Sequence, residues 1–159
     1  MSTETTEINS QISKSDNRVQ YLTFVMAEEE YGIEILSVRE IRGWESMTAI
    51  PNTPDYVKGV INLRGTVVPI IDLRLRFSLP QADYSDVTVV VIVKIRVEQA
   101  EKVMGLVVDA VSDVYNLDPV RVRPCPDLYE TKNKAFISGL IDVDDKMVVL
   151  LALDEILNV

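Results

Sequence analysis

The stretch Gly59-Val60-Ile61-Asn62-Leu63-Arg64-Gly65-Thr66-Val67-Val68-Pro69-Ile70-Ile71-Asp72-Leu73 decides the fold. One apolar run enters Arg64-Gly65 and a second leaves it, the pattern of strand, tight turn, strand. Gly65 takes positive φ at no steric cost, which a short hairpin turn requires. So compact a turn leaves the long cation of Arg64 at the tip or folded back along the sheet. Pro69 has no N–H to give a ladder, so its nitrogen is expected to face an edge or a bulge.

A weaker copy of this phrase lies downstream at a constant offset. Gly59 falls on Gly139, Leu63 on Val143, Val68 on Val148 and Leu73 on Leu153. The copy keeps the apolar pattern and replaces the Arg64 tip with Asp144-Asp145. The duplication is wider than the hairpin: Gly32 to Ile41 lies over Gly105 to Val114 without gaps, and Pro51 falls on Pro124 at the same offset. Each copy reads as strand, strand, short helix, strand, turn, hairpin. Many short strands punctuated by turns indicate small β-barrels. Two barrels of about 70 residues each would have thin cores alone, so a shared hydrophobic seam is expected.

The remaining elements follow from the same rules. Residues 1–17 are polar, without apolar periodicity, and read as a flexible tail. Arg18 to Met26 is a first strand, Glu28-Glu29-Glu30 a charged turn, and Tyr31 to Ile35 the returning strand. Ser37-Val38-Arg39-Glu40 has the capping-box form and predicts a short helix through Ile41 and Arg42. Met47 to Ile50 is a short strand stopped by Pro51. Ser78 to Ser85, with Pro80, marks the boundary between subdomains of about 18–80 and 81–159, with strands exchanged between them. Val87 to Ile95 and Val103 to Val108 are strongly β-prone. The charged segment Arg96 to Lys102 between them is either a long hairpin loop or strand ends running into solvent. Leu117 to Arg123 reads as a strand stopped by Pro124-Cys125-Pro126. Phe136 to Leu140 and Met147 to Leu153 form the second hairpin, and Asp154 to Leu157 one closing helical turn.

Composition narrows the function. The chain has 159 residues, 47% of them hydrophobic, and a formal net charge of −9. That sign opposes general nucleic-acid binding, which neutralises phosphates with cations, and opposes an anionic membrane surface. Cys125 is the single cysteine, so no intramolecular disulfide forms, which fits a reducing cytosol. The start lacks the apolar segment of a signal peptide, and the longest apolar run, Val87 to Val93, is too short to span a bilayer. The reading is a cytoplasmic protein without direct membrane insertion. There is no histidine, which removes Ser–His and Cys–His nucleophiles and leaves no zinc ligand set. The six glycines are scattered singly rather than gathered in a phosphate loop. Asp142, Asp144 and Asp145 do not continue into a Ca²⁺-loop pattern and read as a solvated hairpin tip. No catalytic residue, metal or cofactor is expected.

Arg64 remains. A lone arginine at a hairpin tip is ordinarily just solvated, but Gly59, Asn62, Leu63 and Gly65 fix the backbone tightly around this one. Glu40 is the acid placed to pair with it, in competition with its capping role. An exposed pair contributes about 0–1 kcal/mol, so orienting a contact surface is the better reason for it. Val38 divides evenly between core packing and an apolar contact with a partner helix.

Tyr31-Gly32-Ile33, Val38-Arg39-Glu40-Ile41, Ile50-Pro51, Pro54, Gly59 to Gly65 and Val68-Pro69-Ile70-Ile71-Asp72-Leu73-Arg74 together closely resemble the CheW family, the coupling proteins of bacterial chemotaxis. The resemblance runs from about Val19 to Val159. It implies an all-β fold of two intertwined five-stranded SH3/OB-like β-barrels sharing a hydrophobic core, with short helices. It also implies a non-enzymatic adaptor that joins chemoreceptors (methyl-accepting chemotaxis proteins) to the histidine kinase CheA in membrane-associated arrays. The receptor's cytoplasmic hairpin tip would pack near the groove between barrels, against Val38, Glu40, Gly59, Arg64 and Val89. The CheA regulatory domain, of the same fold, would contact Arg123, Asp127 and Leu128. Cys125 and the long Arg96 to Lys102 connection depart from the family pattern. The alternatives are a related scaffold of another receptor–kinase pathway, a barrel binding a small ligand or oligonucleotide, and a hydrolase using two acids.

Overall fold

The computed structural model describes residues 17–80, 83–126 and 134–158. Ten strands form two five-stranded sheets. They are β1 (Val19–Met26), β2 (Glu29–Glu34), β3 (Val38–Gly43), β4 (Val57–Leu63), β5 (Thr66–Asp72), β6 (Val89–Val97), β7 (Ala100–Val108), β8 (Ala110–Leu117), β9 (Ile137–Val143) and β10 (Lys146–Leu151). One sheet runs β8-β1-β2-β10-β9, the other β3-β6-β7-β5-β4. Each therefore takes two strands from one half of the chain and three from the other. In each sheet one of the two junctions between halves is parallel: Leu150 pairs with Gly32, and at the equivalent place Ile70 pairs with Gly105. All other pairings are antiparallel.

Four hairpins turn in two residues, at Ala27-Glu28, Arg64-Gly65, Glu98-Gln99 and Asp144-Asp145, and all eight residues have positive φ. This geometry matches the right-handed twist of the flanking strands. Only Gly65 adopts it freely. The charged segment between β6 and β7 is thus strand ends running out to a tight turn, with Arg96 opposite Glu101. The first turn is shorter than expected, since Glu29 already belongs to β2.

Burial falls into three clusters. Sheet faces from β1, β2, β6 and β7 close on each other through Leu22, Phe24, Ile33, Val91, Val93 and Leu106, the shared seam. Two short helices complete it, α1 (Leu73–Arg76) and α2 (Leu153–Ile156), which burying Leu73 and Ile156 draws inward. The other two clusters fill the barrels, one around Ile141, Val148 and Leu150, the other around Val68, Ile70 and Ile92. Each barrel closes through one further backbone bridge, Thr48 to Val60 and Arg123 to Leu140.

Three elements differ from expectation. The predicted helix at Ser37 to Arg42 is strand β3; Ser37 instead ends a 3₁₀ turn, Ile35–Ser37, and caps nothing. Val38 to Gly43 pair with β6, and that tertiary ladder overrides the local capping pattern. Met47 to Ile50 contributes only the Thr48 bridge. The predicted strand at Leu117 to Arg123 is the end of β8 followed by a 3₁₀ turn, where the Asp118 carboxylate accepts the Val120 N–H and Pro119 opens the turn. Pro69 lies on an interior strand. Val60, its partner, turns both its N–H and its carbonyl toward Thr48. The Pro69 nitrogen therefore points toward β7, where the ladder begins only at Ile70.

Candidate functional site

The hairpin motif separates into residues that build and one that projects. The Asn62 side chain accepts the Gly65 N–H at 2.8 Å and closes the turn. Asp72 is buried and caps α1, accepting from Arg74 N at 2.9 Å and Leu75 N at 3.3 Å. Its second oxygen accepts the Tyr84 hydroxyl at 2.7 Å; burial and this bond push the phenol well above its usual range. Arg74 makes a two-point pair with Asp109, Nε to Oδ1 at 2.7 Å and Nη2 to Oδ2 at 2.5 Å, and Nη1 donates to the Pro80 carbonyl. Burial alone would raise the Asp109 carboxyl, but Arg74 and the Ala27 N–H together hold it below the usual range.

Arg64 is the exception. Its side chain is 77% exposed, and Nη2 donates to Glu40 Oε2 at 2.7 Å. The other Glu40 oxygen accepts from Arg42 at 3.0 Å, and Arg42 donates to Glu45 at 3.1 Å. The result is an alternating row, Arg64, Glu40, Arg42, Glu45, across the barrel mouth. Hydrogen bonds from Arg64 and then Arg42 hold the Glu40 carboxyl below the ordinary carboxylate range. Beside the row a cleft of about 350 Å³ is lined by Arg39, Glu40, Leu63, Arg64, Thr66, Val68, Ile92 and Val103. In an acidic protein this cleft gathers two cations, Arg39 and Arg64, over the buried Val68 and Ile92.

The structure brings Glu40 and Arg64 into contact. Val38, two residues from Glu40 on β3, is half-buried and packs on the shared core. Val89 also packs there, but at the opposite end of the β3–β6 ladder, opposite Gly43 where Val38 faces Val93. Gly59 is buried at φ +146°, and a Cβ there would lie 2.4 Å from the Thr48 carbonyl oxygen. Its place in the site is to let β4 approach Thr48. Arg123 sits at the other barrel's closure: its backbone is bonded both ways to Leu140 at 2.8 Å, and its side chain, 71% exposed, lies 3.7 Å from Asp142. Asp127 and Leu128 fall outside the described residues. Sequence reasoning missed Arg42 and Glu45. Placed on a helix, Glu40 and Arg42 point apart; on a strand, residues two apart share a face, so the helical reading concealed the row.

Among the described residues, no group of His, Cys, Asp or Glu is arranged to hold a metal ion, and no helix is long and apolar enough to cross a membrane. Comparison with known proteins gives a consistent result. The family described as the CheW-like domain matches residues 20–159. The chain is 42% identical over 139 residues to the chemotaxis protein CheW of Klebsiella aerogenes, covering 87% of this chain and 81% of that one. It is 37% identical to a probable chemotaxis protein CheW of Rhizobium etli, covering 87% of each. Among solved structures, the scaffolding protein TtCheW of Thermoanaerobacter tengcongensis superposes with a TM-score of 0.79 at 34% identity, covering 89% of both chains.

Proposed function

This chain belongs to the CheW-like domain family, and from that membership we propose that it is a non-catalytic chemotaxis adaptor coupling receptors to the kinase CheA. The observation that carries the reading is the division of labour in the hairpin. Asn62, Gly65, Asp72 and Arg74 are consumed by the scaffold, while Arg64 is held outward and aimed by Glu40. A cation oriented by Glu40 beside a cleft that also contains Leu63 and Val103 suits a helical hairpin tip that lays carboxylates and apolar side chains against it. Glu40 and Arg64 are the centre of this face, Val38 its margin, and Gly59 its support; Val89 would join only if the partner reaches the far end of the ladder. The second face, at Arg123 with Asp127 and Leu128, takes the kinase's regulatory domain. The absence of histidine supports a role without bond chemistry.

The test is reconstitution from purified components. A receptor cytoplasmic fragment, CheA and this protein should give high kinase activity only when all three are mixed. Arg64→Glu should lower that activation at least about tenfold, a loss of about 1.4 kcal/mol of coupling, with an unchanged circular-dichroism spectrum. Arg123→Glu should spare receptor binding and weaken the kinase pairing. Binding to neither partner by the unaltered protein would refute the reading.

A further inference from the structure

The repeat breaks at one position in the seam between the halves. Tyr56 and Phe136 are repeat equivalents, and their carbonyls accept equivalent N–H groups, from Asp72 and Ala152, each at 2.7 Å. Helices α1 and α2 are likewise equivalent, so Arg76 corresponds to Ile156. Ile156 is fully buried, as a helix end packed into a core should be. Arg76 instead carries a guanidinium between the two equivalent rings, 4.5 Å from the Tyr56 centroid and 4.7 Å from that of Phe136.

The two rings attract a cation, but they leave its hydrogen-bonding groups unanswered. Its Nε is buried with no acceptor, an unfavourable state that an apolar residue would avoid. Nη2 reaches only the Asn158 carbonyl, at 3.5 Å, and among the described residues no carboxylate pairs with Arg76. Both ring faces attract the guanidinium and hold it against the seam. It lines a cleft of about 520 Å³ with Asp55, Ser78, Leu75 and Leu79. Set against two rings at the wall of a part-apolar cleft, with Nη1 lacking an acceptor among the described residues, the guanidinium offers a positioned charged donor to a carboxylate.

We propose that the Arg76 cleft is a carboxylate-binding site, taking a singly charged acid with an apolar body. Asp55 on the same wall sets the charge: it disfavours a phosphate dianion and leaves room for one negative group. Leu75, Leu79 and the ring edges receive the apolar part, and the Ser78 hydroxyl adds a donor. The site is separate from the Arg64 mouth, so its fate does not decide the adaptor reading.

The experiment is a titration followed on arginine Nε–H resonances, using the full chain labelled with nitrogen-15. Burial of the Arg76 Nε–H should slow its exchange with solvent and make its signal observable. Benzoate, a blocked dipeptide carrying one glutamate side chain (N-acetyl-glutamyl-leucinamide) and inorganic phosphate are the probes. Expected is a saturable shift of the Arg76 signal at millimolar benzoate or dipeptide, with phosphate at least about tenfold weaker, or 1.4 kcal/mol. The tighter of the two acids tells a free acid from a protein side chain. Arg76→Met keeps the chain's length between the rings and should abolish the associated amide shifts while preserving the rest of the spectrum. No saturable shift overturns the proposal, as do tighter phosphate binding, equal movement of the Arg64 signal, or amide shifts that persist in Arg76→Met.

Discussion

At the scale of the residue, the Glu40 carboxylate is the sensitive part of the barrel mouth. Its two oxygens are shared between Arg64 and Arg42, and both bonds favour the ionised form. The folded-state carboxyl therefore titrates below its unfolded value. The stabilisation from the pair is fully present above the ordinary carboxylate range and is lost as pH falls through the depressed value. Side-chain carboxyl NMR should show the Glu40 midpoint below those of exposed glutamates, moving upward in Arg64→Ala. An unmoved midpoint would mean that Arg42 alone holds the charge. Gly59 tests a different physical term. Alanine at φ +146° is strained, and its methyl would press on the Thr48 backbone rather than on a movable side chain. Gly59→Ala should destabilise the protein by at least about 1–3 kcal/mol from backbone conformation alone, measured by urea unfolding. A neutral result would show that the Thr48 segment shifts easily.

Elements were legible wherever alternation ran unbroken between turns. The two copied hairpins, the closing helical turn and the β6–β7 pair lie close to where the pattern put them, whereas the turn of helix at Leu73–Arg76 was not expected. The candidate pair Glu40 and Arg64 was legible too, because a tight turn leaves its cation no place to hide. What local pattern could not supply was the identity of β3 and β8. Val38 to Gly43 carries a helix-start pattern in sequence and a ladder to β6 in space. Its repeat equivalent, β8, was given no element of its own before Leu117; both are edge strands fixed by long-range pairing. Turn chemistry was likewise only half visible. Three of the four hairpins bend through two non-glycine residues with positive φ, where sheet pairing pulls the chain into a conformation those residues disfavour. Asp145, at φ +65°, is the simplest to relieve. Asp145→Gly should stabilise the protein by about 1 kcal/mol, read as a raised urea midpoint at constant m-value. A loss of stability would mean that the Asp145 side chain, not the turn, holds the β9–β10 tip.

At the scale of the whole molecule, the sheets make the halves inseparable. Strands β1 and β2 find their neighbours β8 and β10 in the second half, and β3 and β5 find β6 and β7 there. The seam cluster draws on both sheets and both helices. Arg74 of the first half and Asp109 of the second then lock α1 to the β7–β8 corner and, through the Ala27 N–H, to the β1–β2 turn. A fragment of residues 18–80 alone would hold a two-stranded hairpin and a sheet lacking its centre, each below the size that sustains a β structure. It should therefore show the collapsed amide dispersion of an unfolded chain and gain structure only on mixing with residues 81–159. The intact protein should melt in one step, with equal calorimetric and van't Hoff enthalpies. Arg74→Met should lower that single transition by about 1.5–3 kcal/mol without splitting it, because the uncompensated Asp109 is shared by both halves. Two resolved transitions, or a dispersed spectrum from the first fragment, would show barrels that fold independently. An adaptor built that way could flex between its two faces, whereas the interleaved sheets make the distance from Arg64 to Arg123 a fixed property of the fold.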